Sequence, residues 1–310
     1  MGMTTTTFIS LWLLSIHPCG GFVFPSKSSP SSRLFANIDG QALLDWMAHN
    51  DALSIGPSTY SGGGQGLFVT RDVAQGEVLL TIPESNVISV EDAWQDEELG
   101  DAFCFLTDEG GAGGKMASLM GFVAKEMLKK EESYWHPYLC MLPKQSSQSD
   151  HVLWWSNDEI EFLLAGSNVH GKVVALRSDT DCAIDILWQV LQTEDIELPP
   201  KVEWDDAVRA AYVSILSRAF EDDAVDCTKL LPVLDMTQHS SEANLEHSTN
   251  AQTGEVVVKA RCDLIVGQEL TIDYSQELEP FQFFPIYGFV PGEQTSSRDL
   301  LKTNSPVFFP

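Results

Sequence analysis

The stretch GLFVTRDVAQGEVLLTIP, residues 66–83, holds two short apolar runs, Leu67–Thr70 and Val78–Ile82, joined by DVAQGE and closed by Pro83. Apolar and β-branched residues bounded by glycine and proline predict two strands with a turn between them. The same grammar returns near the other end of the chain. Asp72 stands four residues before Gly76, which stands three before Leu79; Asp263 stands four before Gly267, which stands three before Leu270. One unit of strand, glycine turn and strand is therefore used twice. Around the second copy, EVVVKA (255–260) and ELTIDY (269–274) are rich in strand formers.

Between the two copies the pattern turns helical, from about Val90 to Asp223. Met116, Leu119, Met120, Val123, Met127 and Leu128 recur at the three-and-four spacing of one helix face. Asn157-Asp158-Glu159 reads as a helix start with Ile160, Leu163 and Leu164 as its apolar stripe. Val208, Ala211, Tyr212, Ile215 and Ala219 form another stripe. Ahead of the first strands, Leu43, Leu44 and Met47 predict a helix over Asp39–Asn50. The architecture is α+β: strands at both ends, a large helical block inserted between.

The charge balance is extreme, with 18 basic against 45 acidic residues and a formal net charge of -27. Gripping a phosphate backbone needs Lys and Arg, so nucleic acid is excluded as a partner. Acidity instead favours solubility and attraction to a basic or Lys-bearing protein segment. Six cysteines occur, and after Cys19 no two are closer than 35 residues. Neither a zinc cluster nor a disulfide framework is signalled, and a reducing compartment is implied. No GxSxG, HExxH or P-loop is present, which removes the hydrolase and nucleotide-binding readings built on those motifs.

Residues 1–38 contain no acid. Phe8–Ile16 is an apolar run too short to span a bilayer, and FVFPSKSSPSSR (22–33) is basic and serine-rich. A signal core followed by a transit-like tail, with Phe22 at the junction, resembles the two-part leaders that address proteins to plastids. Secretion or a cytoplasmic location are the alternatives. No later stretch is long and apolar enough for a membrane span, so no membrane association is expected after leader removal.

Six segments in order resemble the SET-domain methyltransferases, in particular the Rubisco large-subunit lysine methyltransferase group: GLFVTRDVAQGEVLLTIP (66–83), EESYWHPYLCMLP (131–143), VRAAYVSILSRAF (208–220), LLPVLDMTQHSSEAN (230–244), ELTIDY (269–274) and YGFVP (287–291). The likeness covers roughly Gly62–Pro291. It implies a mostly β SET fold of small twisted sheets with a pseudoknot-like core and a large α-helical insertion. The chain then divides into a leader (1–38), an N-terminal helix and first SET β segment (39–90), the helical insertion (91–225), a C-terminal SET segment (226–291) and a tail (292–310) in place of the group's helical substrate domain.

The resemblance also implies an activity: S-adenosylmethionine-dependent methyl transfer to a lysine ε-amine of a non-histone protein. Such a site must align an amine with a sulfonium, exclude water and strip the amine of its proton, which an apolar aromatic channel favours. By resemblance, Tyr274 is the active-site tyrosine and also meets the cofactor, and Tyr287 is the second aromatic of the lysine channel. Arg218 clamps the cofactor's methionine carboxylate, a task suited to a guanidinium fork. Gln238 and His239 stand where the group has Asn-His beside the cofactor, and Gly64, Gly66 and Leu67 form its glycine-rich loop. No residue is assigned to a metal. The sequence departs from the pattern at Gly63, where the group has Glu, and at Gln238. A histidine acceptor, and a catalytically degenerate SET module used for protein binding, are the competing readings.

Overall fold

The computed structural model describes residues 40–291 except 48–50, 61–63, 195, 198, 223–226, 275–277 and 279; the leader, the tail and Gly63 lie outside the described residues. The chain opens with α1 (Gly40–Trp46), β1 (Leu53–Pro57), β2 (Gln65–Val69), β3 (Val78–Ile82) and β4 (Ile88–Ser89). The helical block follows: α2 (Val90–Trp94), α3 (Gly100–Lys129, bent at Gly111), α4 (His136–Leu139), α5 (Asn157–Leu164), α6 (His170–Leu191) and α7 (Lys201–Arg218). The chain closes with β5 (Phe220–Asp222), β6 (Cys227–Leu230), β7 (Gln238–His239), β8 (Leu245–Thr249), β9 (Val256–Ala260), β10 (Thr271–Ile272) and α8 (Pro280–Tyr287).

The periodicities have their expected cause. Leu43, Leu44 and Met47 are buried, as are Leu119, Met120, Val123 and Met127 of α3 and Val208, Ala211 and Ile215 of α7. α3 packs on α7 and α2, and α6 packs on α7. α5 starts at Asn157, as its sequence suggests, with Ser156 as the cap exchanging a capping box with Glu159.

Four small sheets carry the β regions: β1–β2, β3–β9–β8, β4–β6–β5 and the parallel pair β7–β10. β3, before the insertion, pairs antiparallel with β9, after it. β4 and β6 likewise pair across the insertion, Ile88 opposite Leu230, so the helical block leaves and re-enters the β core at one sheet.

Two sequence expectations need correction. The helix over VRAAYVSILSRAF ends at Arg218; Ala219 is extended and Phe220 begins β5, its ring edge-on to His247 at 5.2 Å. ELTIDY is a strand only at Thr271–Ile272, so Tyr274 lies beyond the strand rather than at its end.

Candidate active site

β7 and β10 run parallel, with Gln238 opposite Thr271 and His239 opposite Ile272. The chain leaving β10 therefore brings Tyr274 back across β7. The Tyr274 amide donates to His239 Nδ1 at 3.2 Å, and its hydroxyl donates to the Thr237 carbonyl at 2.7 Å. A ring nitrogen accepting from an amide holds no proton, which places the imidazole proton on Nε2. Burial lowers the His239 pKa, while Asp273, 3.7 Å from Nδ1, pulls the other way.

α8 supplies the facing wall. Phe283 and Tyr287 are four residues apart and share a helix face, and Phe289 follows the turn at Gly288. Ring centroids lie 4.9 Å apart for Tyr274–Tyr287, 5.2 Å for Phe283–Tyr287, 6.4 Å for Tyr274–Phe289 and 4.8 Å for His239–Phe283. Five rings thus form one cluster. Burial raises the hydroxyl pKa of both tyrosines, with Asp273 adding to the effect at Tyr287, so each stays a neutral O–H donor near pH 7.

Arg218, the last residue of α7, turns inward. Its Nη1 donates to the Asp235 carbonyl at 3.2 Å and to Asp235 Oδ2 at 3.3 Å. The same Oδ2 accepts from the Tyr138 hydroxyl at 2.9 Å, joining the insertion to this corner. The Asp235 side chain is fully buried, and its Oδ1 has no hydrogen-bond partner among the described residues. Burial pushes the Asp235 carboxyl above its usual range, against the pull of Arg218 and Tyr138. Arg218 itself keeps 21% of its side chain exposed.

The glycine loop is held from behind. Glu269, buried, accepts from the Ser58 hydroxyl (2.6 Å), the Thr59 amide (3.0 Å) and the Thr59 hydroxyl (2.7 Å). A Cβ on Gly66 would stand 2.3 Å from Glu269 Oε1, so glycine there is demanded by the carboxylate behind it. Gln238 Nε2 donates to the Gln65 carbonyl at 2.8 Å, tying β7 to the loop. Leu67 is a core residue whose carbonyl accepts from Leu270. Among the described residues, a Cβ on Gly64 would meet no atom within 4 Å.

The structure brings together Tyr274, Tyr287 and His239 by ring contact, and Gln238 with the segment containing Gly64 and Gly66 by a hydrogen bond. Arg218 stands beside the Asp235–Met236 backbone that leads into β7. Sequence reasoning missed Asp235, Glu269, Phe283 and Phe289. Phe283 had one local signal, its four-residue spacing from Tyr287. Among the described residues no cluster of three or more His, Cys, Asp or Glu is arranged to hold a metal.

The SET-domain family model matches residues 64–275 of this chain. The ribulose-1,5 bisphosphate carboxylase/oxygenase large subunit N-methyltransferase, chloroplastic, of Nicotiana tabacum is 25% identical over 253 residues, covering 76% of this chain and 47% of that protein. An N-lysine methyltransferase of Salmo salar is 25% identical over 252 residues, covering 76% and 52%. The actin-histidine N-methyltransferase of Gallus gallus is 24% identical over 247 residues, covering 75% and 39%. The chain spans about half the length, or less, of these relatives. In fold it resembles the SET domain of LSMT bound to lysine and AdoHcy, with a TM-score of 0.65 at 18% identity, covering 83% of this chain and 58% of that one. It also resembles Rubisco LSMT bound to AdoMet, with a TM-score of 0.63 at 20% identity, covering 83% and 57%.

Proposed function

The chain belongs to the SET-domain family, and from that premise we propose that it is a protein-lysine N-methyltransferase that uses S-adenosylmethionine. The observation that carries this reading is the five-ring cluster with the Tyr274 hydroxyl fixed on the Thr237 carbonyl, beside an inward-turned Arg218.

The residues fit the cofactor. Among the described residues nothing lies within 4 Å of a Cβ on Gly64, and Gln65 of that loop is hydrogen-bonded to Gln238, which follows the Asp235 segment that holds Arg218. Bound S-adenosylmethionine supplies an electrophilic methyl group on a sulfonium. Arg218 would hold the carboxylate of its methionine part, a task suited to its guanidinium fork, which meets Asp235 through Nη1. The backbone of Gly64 and Gly66, with Gln238 and His239, completes that side. Leu67 contributes packing beneath it.

On the acceptor side, Tyr287, Phe283 and Phe289 flank an alkyl chain and keep water out. Burial there disfavours a charged ammonium and so lowers the acceptor's pKa toward the neutral amine that reacts. Tyr274, neutral and with its proton donated to Thr237, stabilises positive charge at the reacting centre by its hydroxyl oxygen.

The substrate is a protein presenting lysine, in keeping with the N-lysine methyltransferase among the relatives and the chain's net charge of -27. A plastid location is supported by the leader's composition and by the chloroplastic relative. A histidine acceptor is the second reading, favoured by the actin-histidine relatives at comparable identity.

Calorimetric titration with S-adenosylmethionine tests the proposal. The wild-type chain is expected to bind with roughly micromolar affinity and Arg218→Ala to lose binding by at least about tenfold. A folded wild type that takes no cofactor would leave a SET fold used for protein contact alone. Labelled methyl transfer followed by acid hydrolysis then separates methyl-lysine from methyl-histidine.

A further inference from the structure

Resting on the methyltransferase reading, we propose that His151, in the helical insertion, is a positioning residue for Tyr287. The two walls of the aromatic cluster belong to different cores. Tyr274 packs against the main core. Phe284 of α8 instead lies in a separate apolar cluster with Val152, Trp155, Ile160, Leu164, Val169 and Val173, all residues of the insertion; Phe281 and Val290 pack on the same cluster. The wall that carries Phe283, Tyr287 and Phe289 is thereby seated on the insertion, with a further contact to α7. The aromatic cluster thus straddles a seam, and the spacing of its two walls depends on what fixes α8.

His151 crosses that seam. It is 1% exposed, and both ring nitrogens are committed. Nδ1 accepts from the Leu153 amide at 3.2 Å, which leaves the proton on Nε2 to be donated to the Ile286 carbonyl at 3.0 Å. Ile286 lies in the last turn of α8, where carbonyls lack helical partners. On the other side of Tyr287, a Cβ on Gly288 would stand 3.2 Å from His151 Cα and 3.3 Å from its nitrogen, and Gly288 has φ of +80°. The residues before and after Tyr287 are therefore both held by His151, one by a hydrogen bond and one by close backbone packing. His151 is held in turn by its neighbours: Trp155 Nε1 donates to the Asp150 carbonyl at 3.1 Å, and Arg177 bonds the Trp155 carbonyl. With no ring nitrogen to spare, His151 acts only through the placement of Tyr287.

The test uses the full chain and three variants. His151→Asn keeps an acceptor for Leu153 but is too short to reach Ile286; His151→Gln restores an N–H at about the reach of Nε2; Gly288→Ala disturbs the same contact from the α8 side. S-adenosylhomocysteine affinity is measured first, then free L-lysine affinity on the saturated protein, with amide hydrogen exchange over 283–290 and 238–274. His151→Asn and Gly288→Ala are expected to leave S-adenosylhomocysteine affinity within about twofold and weaken lysine by about fivefold or more, while His151→Gln recovers most of it. Exchange should quicken over 283–290 alone. Unchanged lysine affinity and unchanged exchange in His151→Asn would overturn the proposal, as would equal losses of both ligands. A wild type that binds S-adenosylhomocysteine but no lysine would overturn the lysine reading instead, and exchange over 283–290 would still decide for or against His151.

Discussion

Asp72 and Asp263 cap each other's turns. Asp72 Oδ1 accepts from the Val266 amide at 2.9 Å, and Asp263 Oδ1 accepts from the Gln75 amide at 2.8 Å. Between them Val73 and Leu264 exchange both backbone hydrogen bonds, at 2.9 and 2.8 Å. The flanking bonds repeat the relation: Gly76 donates to Ala260, which donates to Glu77, and Gly267 donates to Val69, which donates to Gln268. The two turns are one local two-fold unit joining the ends of the chain. Each aspartate replaced by Ala should cost about 1 kcal/mol, the usual net value of such a bond. Because both act on the same Val73–Leu264 bridge, the double variant should depart from additivity by about 0.5 kcal/mol or more in urea unfolding. Strict additivity would mean that the turns are independent.

Gly66 and Glu269 form a second coupled pair. Gly66→Ala puts a methyl 2.3 Å from Glu269 Oε1 and should cost about 1–3 kcal/mol by overpacking. Glu269→Ala strips Ser58 and Thr59 of their acceptor and should cost a similar amount. In the double variant the clash is gone, so its loss of stability should be clearly below the sum. A loss equal to the sum would place the strain elsewhere.

These pairs mark what was legible in the chain and what was not. The Asp-x-x-x-Gly echo was readable because turn chemistry is local: an aspartate acceptor and a glycine at φ of +80° (Gly76) or +82° (Gly267) recur at fixed spacing. The stripes of α1, α3 and α7 were readable because burial imposes a helical period. β5 and β10 were misjudged because two- and three-residue strands are too short to show alternation. Glu269 reaches Ser58 across 211 residues and His151 reaches Ile286 across 135, and no local pattern encodes either. Tyr274 and Tyr287 were found through family resemblance; the spacing of the two tyrosines alone carries no chemistry.

Asp235 holds Arg218 and Tyr138 at one oxygen. Asp235→Ala should cost about 3 kcal/mol, since it leaves a largely buried guanidinium without its carboxylate. Tyr138→Phe removes one donor and should cost about 1 kcal/mol. Both are read from denaturant midpoints. If Asp235→Ala proved as mild as Tyr138→Phe, the Arg218–Asp235 pair would have no structural weight.

Tyr274→Phe keeps the ring contacts with Tyr287 and His239 and removes only the hydroxyl bonded to Thr237. Methyl transfer should fall by about a hundredfold or more, the scale for losing one preorganised dipole at a reacting centre. S-adenosylmethionine affinity should stay within a few-fold of wild type, measured by calorimetry beside the transfer assay. A variant that transfers normally would remove Tyr274 from the chemistry.

His151 gives the fold an acid limit. Burial lowers its pKa from the ordinary 6.5 to about 4, with the Ile286 carbonyl opposing the shift only in part. Between those values the unfolded chain takes up a proton that the folded chain refuses, so stability is complete above pH 6.5 and falls as pH falls toward 4. The loss attributable to this one ring approaches about 3 kcal/mol below the folded pKa. His239 and His247 are also lowered by burial and act in the same direction, so wild type alone does not isolate the contribution of His151. The difference between wild type and His151→Gln does: Gln cannot titrate, while the other groups are common to both. Urea midpoints taken from pH 7.5 down to 4.5 should fall more steeply for wild type, with the gap changing within the 6.5-to-4 window. Two curves that stay parallel through it would mean that the ring is reached by protons in the folded state, and hence that the seam beneath Tyr287 opens more freely than its geometry implies.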